Sequence, residues 1–285
     1  MKKIGLIDYY LDNWHAEHLP EWLKNVKDGE YVISYAWGSY PLDGKLEGFA
    51  DRLPAADWCA KHNITLCDTP EEVIAQSDVL MVLCPNNPEL HEELCKLPLA
   101  SGKRVYIDKT FAPDVATAKR IFAMAEAGNS PMFSSSALRF TEELKDVCTD
   151  NISIINTRGG GVFEIYSIHQ IEMIVKLMNS KALRVMALGV KEGPACVIEF
   201  EGGKYATMGL FPSAPFSLAI NYKDGTDKVI NECTNFFQNF VVELVDFYET
   251  GIPKAPKEQT IDVIGIRETA LKAFATPGVW VDCNF

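Results

Sequence analysis

Two periods alternate along the first half of the chain. Short apolar runs read as strands: KIGLI at 3–7, YVISYAW at 31–37, ITLC at 64–67, DVLMVLC at 78–84, RVYID at 104–108 and PMFSS at 131–135. Between them, HAEHLPEWLKNV, PAADWCAKH, TPEEVIAQ, NPELHEELCKL and DVATAKRIFAMAEAG carry apolar residues at helical spacing. Thr69 is placed as an N-cap with Pro70 at the first helical position, and Gly128 stops the helix that begins near Asp114. Strands alternating with helices predict a parallel sheet covered on both faces, with ligands bound beyond the carboxyl ends of its strands. Those ends are Asp8, Trp37, the stretch 84–87 and the stretch 108–110.

The second half has another rhythm. A helix is expected over 138–147, then the run ISIINTRGGG, a helix IHQIEMIVKLM at 168–178, and strands ALRVMALGV, ACVIEF, KYATMGLF and FSLAINY. EGGKY reads as a tight turn joining two of these strands into a hairpin. Two helices close the chain, separated by the proline-rich IPKAPKEQ. The fold class predicted is therefore α/β: a Rossmann-like parallel domain over 1–138, and an α+β domain with an open, mostly antiparallel sheet over 139–285. Several apolar strands for two covering helices suggest a homodimer or homotetramer formed through the open face.

A chain of 285 residues accommodates two domains, and 47% hydrophobic with 23% charged residues is ordinary for a globular protein. A net charge of −12 argues against nucleic acid, whose phosphates need a basic face. No apolar stretch reaches the length of a membrane span. Eight cysteines without a C-x-x-C pair read as reduced core thiols of a cytoplasmic protein. The five histidines show no metal-ligand spacing, so no metal is expected.

Four motifs then occur in order. The stretch SDVLMVLCPNNPELH contains Pro85, Asn86 and His91; GKRVYIDKT contains Asp108 and Lys109; GGGVFEIYSIHQIE contains Glu164, Tyr166 and His169; QTIDVIGIRETALKAFATPGVWVD closes the chain. Together they resemble the Gfo/Idh/MocA oxidoreductases. The resemblance implies a Rossmann domain plus an open-sheet domain, NAD or NADP as cofactor, and a small-molecule substrate of the sugar or polyol kind. It implies Lys109, His169 and Glu164 as catalytic residues. Cofactor contacts would come from Asp8, Tyr9, Trp37, Cys84, Pro85, Asn86, Asp108 and Lys109.

Departures from the pattern are equally legible. The turn after the first strand, Asp8-Tyr9-Tyr10-Leu11-Asp12-Asn13-Trp14-His15, lacks the glycines that let backbone amides approach a pyrophosphate, and Asp8 brings a charge that would repel it. The second strand ends in Trp37-Gly38-Ser39, with neither an acid for ribose hydroxyls nor a base for a 2′-phosphate. Counting back four residues from His169, the family's aspartate falls on Ile165, and Glu164 replaces it only where the chain is irregular. Trp14 and His15 are placed, with Lys109, Tyr166 and His169, as substrate contacts, Trp14 being a stacking surface for a sugar ring. Glu172, three residues after His169, either orients the imidazole or satisfies local polarity. Two further readings stay open: a sugar-binding or regulatory protein that has lost dinucleotide binding, and a lyase or glycosidase that uses a retained NAD.

Overall fold

The computed structural model describes residues 1–39, 52–189 and 193–285. The first apolar run becomes β1 (Lys2–Asp8), buried without interruption from Ile4 onward, as a central strand covered on both faces must be. There follow α1 (Trp14–Lys24), β2 (Tyr31–Gly38), α2 (Ala55–His62), β3 (Thr65–Leu66), α3 (Pro70–Gln76), β4 (Val79–Val82), the short α4 (His91–Leu94) and α5 (Lys96–Ala100), β5 (Val105–Ile107), α6 (Val115–Ala127) and β6 (Met132–Phe133). The strands are ordered β3-β2-β1-β4-β5-β6 and every pairing is parallel. This is the doubly wound sheet expected, and its order reverses between β1 and β4, where such sheets take their ligands. Thr69 caps α3 by accepting from Glu72 N at 3.3 Å, with Pro70 at the first position.

The second half contributes β7 (Ile152–Gly159), α7 (Phe163–Met178), β8 (Ala182–Leu188), β9 (Ala195–Phe200), β10 (Lys204–Leu210), β11 (Ser217–Tyr222), β12 (Asp227–Ile230), α8 (Phe236–Thr250), α9 (Lys257–Ala273) and β13 (Trp280–Asp282). Its sheet runs β12-β11-β7-β10-β9-β8-β13, parallel between β7 and β10 and antiparallel at its other pairings. EGGKY is the expected hairpin turn: Gly202 and Gly203 hold φ of 78° and 69° between β9 and β10, values that suit glycine. The sheet face away from its helices is less apolar than the strand runs suggest. Arg184 pairs with Glu199, which also accepts from Tyr205, and Arg158 donates to Ser217 at 2.7 Å. Ile154 and Val229 are exposed beside them.

Three elements differ from expectation. Residues 138–147 form no α-helix but two tighter turns, 137–140 and 142–144, because Thr141 between them is extended and its hydroxyl bonds Glu143. The helix expected from 168 begins at Phe163, so its first turn includes the more polar Glu164. Edge strand β12, DKVI, was hidden by its polar start. Val190, at the end of one expected strand, lies outside the described residues.

By packing, the chain divides into a first unit of 1–112, 119–134 and 241–254 and a second of 113–118, 135–240 and 255–285. The division falls at 134/135, where 138/139 was expected, and 241–254 joins the first unit. Its aromatic residues explain why: Tyr248 donates to Leu80 O at 2.9 Å, and Phe247 meets Phe133 edge-on with centroids 4.9 Å apart. Seven of the eight cysteines are buried and all are free thiols. Among the described residues no helix is long and apolar enough to cross a membrane.

Candidate active site

In the first unit, the chemistry gathers where β5 ends. Its buried strand delivers Asp108 and Lys109 beyond the sheet, 3% and 7% exposed. The Lys109 ammonium donates to Pro85 O at 3.1 Å, which ties the end of β5 to the loop after β4. Burial pushes the Lys109 pKa down, and the neighbouring Asp108 charge opposes that shift. Burial alone would raise the Asp108 carboxyl, but His15, Lys109 and Tyr106 hold it down at about 2. His15 Nδ1 lies 2.6 Å from Asp108 Oδ2, and the Tyr106 hydroxyl donates to Oδ1 at 2.9 Å. The structure thus brings His15, from the first turn of α1, to the residue preceding Lys109. Trp14 beside it is half-exposed and packs its ring on His18, centroids 4.4 Å apart, and on the edge of Trp22.

The turn between β1 and α1 is bonded inward. Asp8, expected to face the cofactor, is completely buried and accepts from Tyr9 N at 2.6 Å, Asn13 Nδ2 at 2.8 Å and Cys84 N at 2.9 Å. It staples the ends of β1 and β4, and its charge does not point at a phosphate. That corrects the expectation of direct repulsion. Burial lifts its pKa to about 7 against those three hydrogen bonds. Asn13 caps α1 by accepting from Ala16 N at 3.1 Å, while Asn13 N bonds Leu11 O. Tyr9 N and Ala16 N, amides of the kind that a glycine turn offers to a pyrophosphate, are therefore satisfied within the turn.

The other expected cofactor contacts fall into two groups. Cys84 and Asp108 are interior: both side chains are buried, the thiol contacts Asn87 O at 3.4 Å, and burial pushes its pKa up. Pro85 acts through its carbonyl on Lys109, and Asn86 is exposed. His91 is structural, with Nδ1 3.0 Å from Phe111 O and Nε2 against Leu83 O. Tyr9 and Trp37, by contrast, open onto a cavity of about 420 Å³ at the carboxyl ends of β1 and β2, shared with Ser39, Leu90, Leu94 and Leu97. Its size and apolar walls suit the nucleoside end of a dinucleotide. The residues present fit such a cofactor at that end, and the closed turn gives it fewer amides at the phosphates.

In the second unit, His169 lies on α7 between the edges of Tyr166 and Phe216, with centroids 5.6 and 5.4 Å away. Its Nδ1 is 2.7 Å from the hydroxyl of Ser136, a residue that the motifs did not single out. Glu172 does not take the imidazole. It pairs with Arg139 at 2.9 Å and accepts from Ser136 N at 3.3 Å, so it supports the serine instead. Glu164 lies inside the helix and not in an irregular turn before it. Because α7 begins at Phe163, the five positions from Glu164 to His169 amount to about 500°, which leaves the two on different faces. Glu164 is exposed, and it borders an apolar cavity of about 650 Å³ with Phe163, Leu271 and Phe274 that neither Tyr166 nor His169 lines. Arg267 secures that helical turn by donating to Glu164 O at 2.6 Å. Ser136 and Asn13 were missed because a serine run and a lone asparagine carry no spacing that marks a site.

Comparison with known proteins bears on the first unit directly. Residues 13–134 match the model described as the oxidoreductase family, NAD-binding Rossmann fold. The matched stretch is less than half of the chain, and what it carries is similarity to that family over the first unit. The match opens at Asn13, after β1 and most of the rebuilt turn. The NAD or NADP expected from the sequence agrees with the NAD-binding fold of this family. The uncharacterized oxidoreductase YhhX of Escherichia coli (strain K12) is 37% identical over 57 residues, 20% of this chain and 16% of that protein. The match thus spans about a sixth of that relative's length. Among solved structures, GenD2 from gentamicin A biosynthesis, in complex with NAD, superposes with a TM-score of 0.77 at 13% identity, covering 100% of this chain and 97% of that one. Scyllo-inositol dehydrogenase from Lactobacillus casei, with bound NAD(H) and scyllo-inositol, gives 0.75 at 13% identity over 99% of each chain. At such identities the likeness is one of fold.

Proposed function

We propose that the protein is an NAD(P)-dependent oxidoreductase acting on a sugar, polyol or related hydroxy compound, with Lys109 exchanging the proton at the reacting oxygen. The observation that carries this reading is the buried Lys109 at the carboxyl end of β5, beside an Asp108 held ionised by His15. Oxidising an alcohol removes a hydride from carbon and a proton from oxygen. When bound, the nicotinamide supplies the hydride acceptor, or the donor in reduction. The proton needs a side chain, and an amine whose proton affinity is lowered by burial is suited to take it and return it. Tyr9 and Trp37 would hold the nucleoside end of the cofactor. Half-exposed Trp14 offers a stacking surface for a sugar ring. The neighbouring structure that holds scyllo-inositol supports the polyol class.

A second reading is favoured by one observation, the turn amides closed off by Asp8 and Asn13. It makes the protein a sugar-binding or regulatory member without dinucleotide affinity. Lys109→Met keeps the length of the side chain and removes its proton. On a substrate found by screening polyols and sugars with NAD and NADP, turnover should fall at least about a hundredfold, the scale of a lost acid–base group. Turnover that survives in a folded Lys109→Met protein would refute the assignment.

A further inference from the structure

We propose that Ser136 fixes His169 as a neutral imidazole protonated at Nε2, so that the ring meets a ligand as a hydrogen-bond donor. One buried hydroxyl decides the tautomer. Ser136 is completely buried, and its Oγ caps the turn 137–140 by accepting from Leu138 N at 3.1 Å. The same oxygen lies 2.7 Å from His169 Nδ1. A serine hydroxyl has one hydrogen and two lone pairs. One lone pair is taken by Leu138, and the described acceptor within reach of the hydrogen is Nδ1. Were Nδ1 itself protonated, both lone pairs would be filled and the hydroxyl hydrogen would be buried with nothing to bond, a situation proteins avoid. Nδ1 is therefore the acceptor, and the neutral ring carries its hydrogen on Nε2.

The serine is itself held in place. Its backbone N–H donates to Glu172 Oε2 at 3.3 Å, Glu172 pairs with buried Arg139 at 2.9 Å, and Arg139 bonds Gln259. Glu172 thus reaches the imidazole through Ser136 and not by contact, which makes Ser136 a positioning residue. The chemical consequence rests on the oxidoreductase reading above. An Nε2–H histidine polarises a carbonyl oxygen in reduction. To take a proton from a hydroxyl it must first move its own hydrogen to Nδ1, against the serine.

The test is the nitrogen spectrum of histidine in the ¹⁵N-labelled full chain, with His169 assigned by the signal lost in His169→Gln. The expected result is a pyridine-like Nδ1 and a pyrrole-like Nε2 in the wild type. In Ser136→Ala the two resonances should move toward each other as the tautomers mix, and Ser136→Thr should restore the separation. A pyrrole-like Nδ1 in the wild type, or a Ser136→Ala spectrum identical to wild type, would overturn the proposal. The wild-type spectrum decides even if the alanine variant does not fold, and it needs neither cofactor nor turnover. A failure of the oxidoreductase reading therefore stays distinguishable. Where turnover is measurable, kcat for reduction should drop about tenfold in Ser136→Ala, the scale of one neutral hydrogen bond, with KM nearly unchanged.

Discussion

Asp8→Asn should turn a pH-dependent weakness of the fold into a pH-independent one. The Asp8 carboxyl sits at about 7, raised from 3.8, so the fold favours its neutral form. The sign follows from linkage. A carboxyl whose pKa is raised on folding contributes its full stability below about 4, loses it progressively as pH climbs, and has lost it once pH passes about 7. A shift of about 3 pH units at about 1.36 kcal/mol each sets the whole effect near 4 kcal/mol, of which roughly 2 to 3 kcal/mol falls between pH 5 and 8. An asparagine fits the site: its oxygen keeps the bonds from Tyr9 N and Cys84 N, both of which go to Oδ1. Its amide opposes Asn13 Nδ2 and forfeits that bond, about 1 kcal/mol that does not vary with pH. Urea unfolding of both proteins at pH 5, 6, 7 and 8 gives the difference at each pH. Stability of the variant relative to wild type should rise by roughly 2 to 3 kcal/mol across that range. A constant difference would show that the three donors outweigh burial and that Asp8 ionises at an ordinary pH, which refutes the reasoning.

His15→Ala removes the partner that, against burial, helps hold the Asp108 carboxyl at about 2. That depressed carboxyl stabilises the fold above about pH 4 and ceases to do so as pH falls through about 2, so the variant should lose roughly 2 kcal/mol at pH 7 in urea unfolding. An unchanged midpoint would show the pair to be energetically idle. In turnover, the same variant should raise KM for substrate while leaving dinucleotide affinity nearly intact, and a matching loss in both would place His15 at the phosphates instead. Light scattering at micromolar concentration should return two or four times the chain mass, and a mass of one chain would remove the oligomer from the account.

The parallel sheet was readable because strands buried on both faces have no choice but to be continuous apolar runs. KIGLI and DVLMVLC became β1 and β4 with their bounds shifted by a residue or two. Segments held by side-chain bonding were not readable. The apolar spacing over 138–147 says helix, and the Thr141 hydroxyl bonded to Glu143 helps break it. The membership of 241–254 depends on Tyr248 finding Leu80 O, a contact across 168 positions that no local pattern announces. At the candidate site, Lys109 and His15 were named from the sequence, while Asp8 was misread in direction. A charge at the end of β1 looks like a phosphate contact until its three donors are seen. The start of α7 was likewise not legible, and it places Glu164 within the helix and on a different face from His169.

The central claim, that this rebuilt Rossmann unit still takes a nicotinamide dinucleotide, is tested most directly by titrating the protein with NADH and with NADPH and following fluorescence. Trp37 borders the cavity proposed for the nucleoside end. The account predicts saturable binding of at least one of the two, energy transfer from tryptophan to the reduced nicotinamide, and weakened affinity in Trp37→Ala. No saturable change with either nucleotide up to millimolar concentration would contradict it and leave the sugar-binding or regulatory reading in its place.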